Sequence, residues 1–367
     1  MRGLGKIVAQ LSSARRSARP ANANDDGRLV GLTGFGANPG DLDARIFEPS
    51  AGAAALVVVL HGCTQNASAY DQGSGWSGLA ERHGFALLFP QQRPANNSNL
   101  CFNWFVPGDA RRGRGEAASI AQMVRHMAAR HRLERSDIFI TGLSAGGAMT
   151  SVMLASYPEL FAAGAIIAGL PFATANTLPE ALERMRGQGF PSNPELTALA
   201  ASSLGQDADP PGVSVWHGTR DKVVDPVNAT AIVAQWRGLH GLGDRPGQVD
   251  LVAGHRRETW SDPTGRALIT RYDVNGMGHG TPLDTRDGDG CGRAGPHMLE
   301  AGICSTRHIA ASWGLIEEPR ARREPAPSSE NPGPGHPPLS PAPLPPAPPT
   351  GVEAAIEDAL RKAGLMR

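Results

Sequence analysis

The chain has 367 residues, and its 35 lysines and arginines balance 35 aspartates and glutamates, so no whole-chain field points to nucleic acid or to a phosphorylated partner. That length supports one large α/β domain or two smaller ones with a sizeable core. No apolar run approaches the ~20 residues of a membrane helix, since the longest, Ala53–Leu60 and Ala162–Leu170, have the length of strands.

Residues 1–28 read as a flexible basic arm. Arg2, Lys6, Arg15, Arg16 and Arg19 precede the first acid, Asp25, and the apolar stretch Ile7–Leu11 is short and broken by Gln10, unlike the core of an export signal. A weakly amphipathic helix is the sharper alternative for the arm. Residues 29–316 then alternate apolar runs with helical patterns, which predicts βαβ units on a mostly parallel sheet. The predicted buried strands are Ala55–Leu60, Phe85–Phe89, Ile138–Thr141, Ala163–Ala168, Val213–Trp216 and Leu268–Asp273. None alternates in polarity, as expected where helices cover both faces. Helical patterns cover Ala117–His131 and Ala145–Ser156. Residues 172–211 break the rhythm with two short helical stretches and read as an insertion, or partial lid, over the sheet edge.

Residues 317–350 are dense in proline and read as an extended linker. Residues 351–367 follow, with Val352, Ile356, Ala359 and Leu360 on one helical face. This short amphipathic helix either docks on a partner or granule surface or stays solvated.

Gly142-Leu143-Ser144-Ala145-Gly146 follows a predicted strand and opens a proline-free helix, which is the context that makes a Gly-x-Ser-x-Gly turn a nucleophile elbow. Ser144 needs a base to take its proton and an acid to orient that base. In an α/β-hydrolase fold both lie downstream, at the ends of later strands. Asp221 follows Val213–Trp216 through His217-Gly218-Thr219-Arg220, and His279 follows Leu268–Asp273 between Gly278 and Gly280. Asp225 stands before Pro226 as a turn or cap residue, and His255, His297 and His308 lack the strand-then-glycine setting. The loop His61-Gly62-Cys63-Thr64-Gln65 should place the backbone N–H of Cys63 opposite that of Ala145 as an oxyanion hole, with His61 in a structural role.

No cofactor or metal is expected. The four cysteines, Cys63, Cys101, Cys291 and Cys304, form no Cys-x-x-Cys pair and allow either free thiols or two disulfides in any of three connectivities. Gly34 to Gly40 lacks the spacing of a dinucleotide fingerprint, and Asp284 to Cys291 lacks the ligand order of an EF-hand.

Taken together, His61-Gly62-Cys63-Thr64-Gln65, Cys101-Phe102-Asn103-Trp104-Phe105, Gly142 to Gly146, Val215-Trp216-His217-Gly218-Thr219, Gly278-His279-Gly280 and Gly302-Ile303-Cys304-Ser305-Thr306 resemble the polyhydroxybutyrate depolymerase family of esterases. The resemblance implies an α/β-hydrolase fold with a Ser144–His279–Asp221 triad. It also implies hydrolysis of short-chain hydroxyalkanoate polyesters or their oligomers, usually outside the cell. Feruloyl or acetylxylan esters are the runner-up substrates, and a non-catalytic granule-associated protein is the reading from another class. In that fold Cys63 and Cys101 leave neighbouring strands, so the pairing 63–101 with 291–304 is expected. Such bridges belong to an extracellular or periplasmic enzyme, with a cytoplasmic or granule-bound one as the alternative. Trp104, on the loop leaving the same edge, is the aromatic residue expected to line the acyl site.

Overall fold

The computed structural model describes residues 28–205, 208–286 and 291–317. The basic arm up to residue 27, the proline-rich segment and the C-terminal helix expected from the sequence lie outside the described residues. Strands β1 (Val30–Gly31), β2 (Asp43–Phe47) and β3 (Leu56–Leu60) lead into helices α1 (Ala67–Ser74) and α2 (Trp76–His83). Then come β4 (Ala86–Gln91), α3 (Gly115–His131), β5 (Ile138–Leu143), α4 (Ala145–Ser156) and β6 (Ala163–Ile167). Helices α5 (Leu178–Met185) and α6 (Asn193–Leu204) precede β7 (Gly212–Gly218) and α7 (Val227–Leu239). The order closes with β8 (Gln248–Val252), β9 (His255–Ser261), β10 (Ala267–Val274), β11 (Thr281–Leu283), β12 (Met298–Glu300) and α8 (Ser305–Ser312).

Ten strands form one sheet in the order β1-β2-β4-β3-β5-β6-β7-β10-β9-β8. The run from β4 to β10 is parallel throughout, as the apolar runs predict. Both edges are antiparallel, with β1 and β2 on one side and the β8–β9 hairpin on the other. The hairpin has no apolar run to announce it. It is held partly by cross-strand ion pairs, Arg257 to Asp250 of β8 at 2.5 Å and Arg256 to Asp273 of β10 at 3.2 Å.

Strand β3 shows why the centre folds as it does. All five residues are fully buried, and they alternate between two cores: Leu56, Val58 and Leu60 face one, Val57 and Val59 the other. The first core holds Ile120 and Met127 of α3, Met149 and Val152 of α4, and Ile232 and Trp236 of α7. The second holds Tyr70 of α1, Trp76 and Leu79 of α2, and Ile309 of α8. Burial of one such side chain is typically worth about 1.5–3 kcal/mol.

Segment 172–211 contains the two expected helices but not at the sheet edge. It connects β6 to β7, which are neighbours in the sheet interior, so the connection has to cross a face, where α6 packs on α7 and α4.

Cys63 is bonded to Cys101 and Cys291 to Cys304, with Cα separations of 4.2 and 6.0 Å. Cys291 and Cys304 are buried, and their bond closes a loop of 13 residues' separation. Replacing both by alanine should lower the unfolding free energy by about 2–4 kcal/mol, read from urea denaturation.

Candidate active site

Ser144 sits between the end of β5 and the start of α4 with φ 56° and ψ −118°, a left-handed-side backbone that a non-glycine residue adopts only at a penalty of about 1–3 kcal/mol. Its surroundings hold it there. The Ser144 N–H donates to Ile167 O of β6 at 2.9 Å, and its carbonyl accepts from the Ala148 N–H at 2.8 Å. A Cβ at Gly146 would press on the carbonyl oxygens of Leu60 and His61, so only glycine lets the helix start this close to the end of β3.

Asp221 and His279 come from the ends of β7 and β10, which pair in parallel from Ile269↔Val213 to Val274↔Gly218. Beyond the last pair the two loops stay joined. Thr219 N–H donates to Val274 O at 3.0 Å, Arg220 N–H to Met277 O at 2.9 Å, and Gly276 N–H to Thr219 Oγ1 at 2.9 Å. A Cβ on Gly218 would meet the carbonyl oxygens of Met277 and Gly278, so the close approach again requires glycine. The result is a hydrogen bond of 2.7 Å from His279 Nδ1–H to Asp221 Oδ2. The other ring nitrogen, Nε2, is thereby left as the acceptor.

The Asp221 side chain is wholly buried and fully partnered. Oδ1 accepts from the N–H groups of Val223 and Val224, both at 2.9 Å. Beneath it, His217 Nε2–H is directed to Val224 O at 2.8 Å and lies 3.4 Å from Asp221 Oδ2. Burial alone would raise the Asp221 carboxyl, but the donors His217 and His279 outweigh it and hold the group well below the usual carboxylate range. This aspartate is therefore held as an anion at neutral pH.

Two histidines passed over or unassigned in the sequence reading stand beside this pair. His217 carries the strand register into the Asp221 loop. His297 packs edge-on to His279 with ring centroids 5.8 Å apart and donates from Nδ1 to the His279 carbonyl at 3.2 Å. Its signal was missed because it follows no apolar strand. It reaches the site through β11 and β12, where its own carbonyl accepts from Thr281 N–H at 2.8 Å.

The loop after β3 lies against the start of α4. Gly62 N–H donates to Gln65 Oε1 at 2.9 Å, Thr64 N–H to Asn99 O at 2.7 Å and Gln65 N–H to Gly62 O at 3.3 Å. Among the described residues of that turn, the Cys63 amide is the one with no acceptor. Ala145 is the first residue of α4, so its N–H has no intrahelical acceptor either. His61 is buried, donates from Nδ1 to Gly62 O at 2.8 Å and accepts at Nε2 from Gln92 N–H at 3.1 Å. Burial lowers its pKa to about 4, so it is a neutral structural group. Trp104 retains 7 % exposure, packs edge-to-face on Phe105 at 5.3 Å and belongs to the first core. Phe102 is fully buried against the His61 ring.

Residues 46–261 match the family model described as Esterase PHB depolymerase. The chain is 42 % identical over 293 residues to poly(3-hydroxyalkanoate) depolymerase C of Paucimonas lemoignei, covering 78 % of this chain and 70 % of the relative. It is 33 % identical over 265 residues to acetylxylan esterase A of Aspergillus oryzae, covering 69 % and 84 %. Among solved structures, an acetyl xylan esterase from Aspergillus awamori superposes with a TM-score of 0.66 at 23 % identity over 78 % of this chain and 99 % of that one, which shows a shared fold.

The close approach at Gly218 yields a stability test. Gly218→Ala should force the Asp221 and His279 loops apart and lower the urea-unfolding free energy by about 1–3 kcal/mol, as over-packing elsewhere does. An unchanged midpoint would mean that the two loops are not held in contact.

Proposed function

Since the chain belongs to the Esterase PHB depolymerase family, we propose that Ser144, His279 and Asp221 are its nucleophile, base and orienting acid, acting on poly(3-hydroxybutyrate)-type polyesters or their oligomers. The enzyme is a carboxylic ester hydrolase. The observation that carries the residue assignment is the 2.7 Å bond from His279 Nδ1–H to the buried Asp221, on loops that follow strands of the same parallel run as the strained Ser144 turn.

In this mechanism His279 Nε2 takes the Ser144 hydroxyl proton as Oγ attacks the ester carbonyl carbon. The carbonyl electrons move to oxygen, where the amides of Cys63 and Ala145 receive the charge. Such a donor is typically worth about 2.7–4 kcal/mol in the transition state. Collapse of the intermediate breaks the ester C–O bond, and His279 returns its proton to the departing alkoxide. Water, activated by the same imidazole, then releases the acyl group as a carboxylic acid. Asp221 stays ionised throughout and stabilises the imidazolium. Trp104 supplies an apolar wall beside the oxyanion loop.

The polyester reading draws on the 42 % identity to the P. lemoignei depolymerase. Acetyl esters of xylan are the second reading, favoured by the 33 % identity to the Aspergillus oryzae esterase. The two disulfides support an extracellular or periplasmic setting for the working enzyme, where such bonds persist.

The test is a panel of p-nitrophenyl acetate and butyrate, hydroxybutyrate oligomers, amorphous polyhydroxybutyrate and acetylated xylan. Ser144→Ala should lower kcat by about 10⁶-fold and Asp221→Asn by about 10⁴-fold, without loss of fold. Turnover by Ser144→Ala equal to wild type would overturn the residue assignment. Cleavage of acetylated xylan with no turnover of hydroxybutyrate oligomers would reverse the order of the two substrates.

A further inference from the structure

One buried carboxylate takes no part in the chemistry above. Glu116, in the first turn of α3, is 1 % exposed and makes three hydrogen bonds, all as acceptor. Oε2 accepts from the Asn103 N–H at 2.8 Å, and Oε1 accepts from Asn103 Nδ2 at 2.8 Å and Gln92 Nε2 at 2.5 Å. Hydrogen bonds from donors alone favour the ionised form of the carboxyl.

From these partners three routes lead to the oxyanion loop. In the first, Gln92 is itself 1 % exposed, and its backbone N–H donates to His61 Nε2 at 3.1 Å while His61 Nδ1–H holds Gly62 O. In the second, Gln92 Nε2 also donates to Cys101 O at 3.0 Å, and Cys101 is bonded to Cys63. The third passes through Asn103 Oδ1, which accepts from Asn97 Nδ2 at 3.0 Å. Asn97 Oδ1 accepts from the N–H groups of Asn99 and Cys101, and Asn99 O accepts from Thr64 N–H. The routes converge on Cys63 from both sides.

They converge on a strained place. Thr64 has φ 63° and Leu100 φ 57°, conformations that non-glycine residues, β-branched ones above all, hold only when the surroundings over-determine them. We propose that Glu116 is a positioning residue for the oxyanion hole, fixing the 97–105 loop and through it the direction of the Cys63 amide.

The energetics are those of a group kept for function. Burial pushes the Glu116 carboxyl up to about 7, against the pull of its donors and with Asp109 adding to the rise. An acid whose folded-state pKa lies above its unfolded value destabilises the fold as pH rises between the two, and that penalty is complete above the folded pKa. At pH 8, then, the carboxylate is present at the expense of stability.

This inference rests on the reading of Cys63 as an oxyanion donor, and Glu116→Gln tests it apart from that reading. The amide keeps the two bonds at Oε1 but turns an N–H₂ towards the Asn103 N–H. The variant should lose about 10- to 100-fold in kcat on p-nitrophenyl acetate at pH 8, within the range for an impaired oxyanion donor. KM should stay within about twofold, because the interaction strengthens only in the transition state. Inhibition by a trifluoromethyl ketone, whose serine adduct bears an oxyanion, should weaken in step with kcat. The urea midpoint at pH 8 should be no lower than that of wild type. Asn103→Ala, which removes one of the three bonds, should show the same split at smaller amplitude and serves if Glu116→Gln does not fold. An active wild type, an inert Ser144→Ala and a Glu116→Gln with unchanged kcat and ketone inhibition would overturn the role of Glu116 alone. A fully active Ser144→Ala would instead overturn the serine mechanism.

Discussion

The structure turns on how closely the start of α4 is pressed against the end of β3. Because Gly146 presents no Cβ to the Leu60 and His61 carbonyls, the helix can begin immediately after Ser144, and Ser144 is forced to positive φ. The same contact brings the first amide of α4 beside the turn that carries Cys63. One steric allowance thus sets the proposed nucleophile and both proposed donors relative to each other. Asp221 and His279 follow other strands of the same parallel run.

The proposed acid–base pair obeys a related logic. Ser144 follows β5, while Asp221 and His279 follow β7 and β10, two strands that are hydrogen-bonded neighbours. Their loops continue the pairing through Thr219, Arg220 and Gly276 rather than diverging, so a 58-residue sequence separation closes to a 2.7 Å hydrogen bond. The carboxylate pays for its burial with donors on both oxygens. That arrangement keeps Asp221 charged, which a base cycling between imidazole and imidazolium requires.

Much of this was legible in the sequence because the relevant signals are local. An uninterrupted apolar run marks a strand buried on both faces, and the residues after such runs are where a parallel sheet gathers its chemistry. Ser144, Asp221, His279 and the Cys63 loop all follow runs of that kind. What escaped was set by tertiary contact. The β8–β9 hairpin is a half-exposed edge whose strands carry Arg256, Arg257, Glu258 and Asp250, so its pattern matches a polar loop as well as a strand. Glu116 looks like an ordinary acid in a first helical turn, where the helix dipole favours it. Only the fold reveals that Gln92 and Asn103 close over it. His297 reaches His279 through the short parallel pair β11 and β12, too brief to leave a pattern.

The Cys63–Cys101 bond encloses α1, α2 and β4 within one covalent ring of 38 residues' separation. Strand ends ordinarily fray one by one, each opening on its own small free energy. With the loop after β3 fastened to the loop after β4, neither end can peel back without drawing the other along, and the two behave as one cooperative opening unit. Amide exchange in the Cys63 loop would then follow the slower, larger opening of the β3–β4 layer rather than the fast flicker of a surface turn.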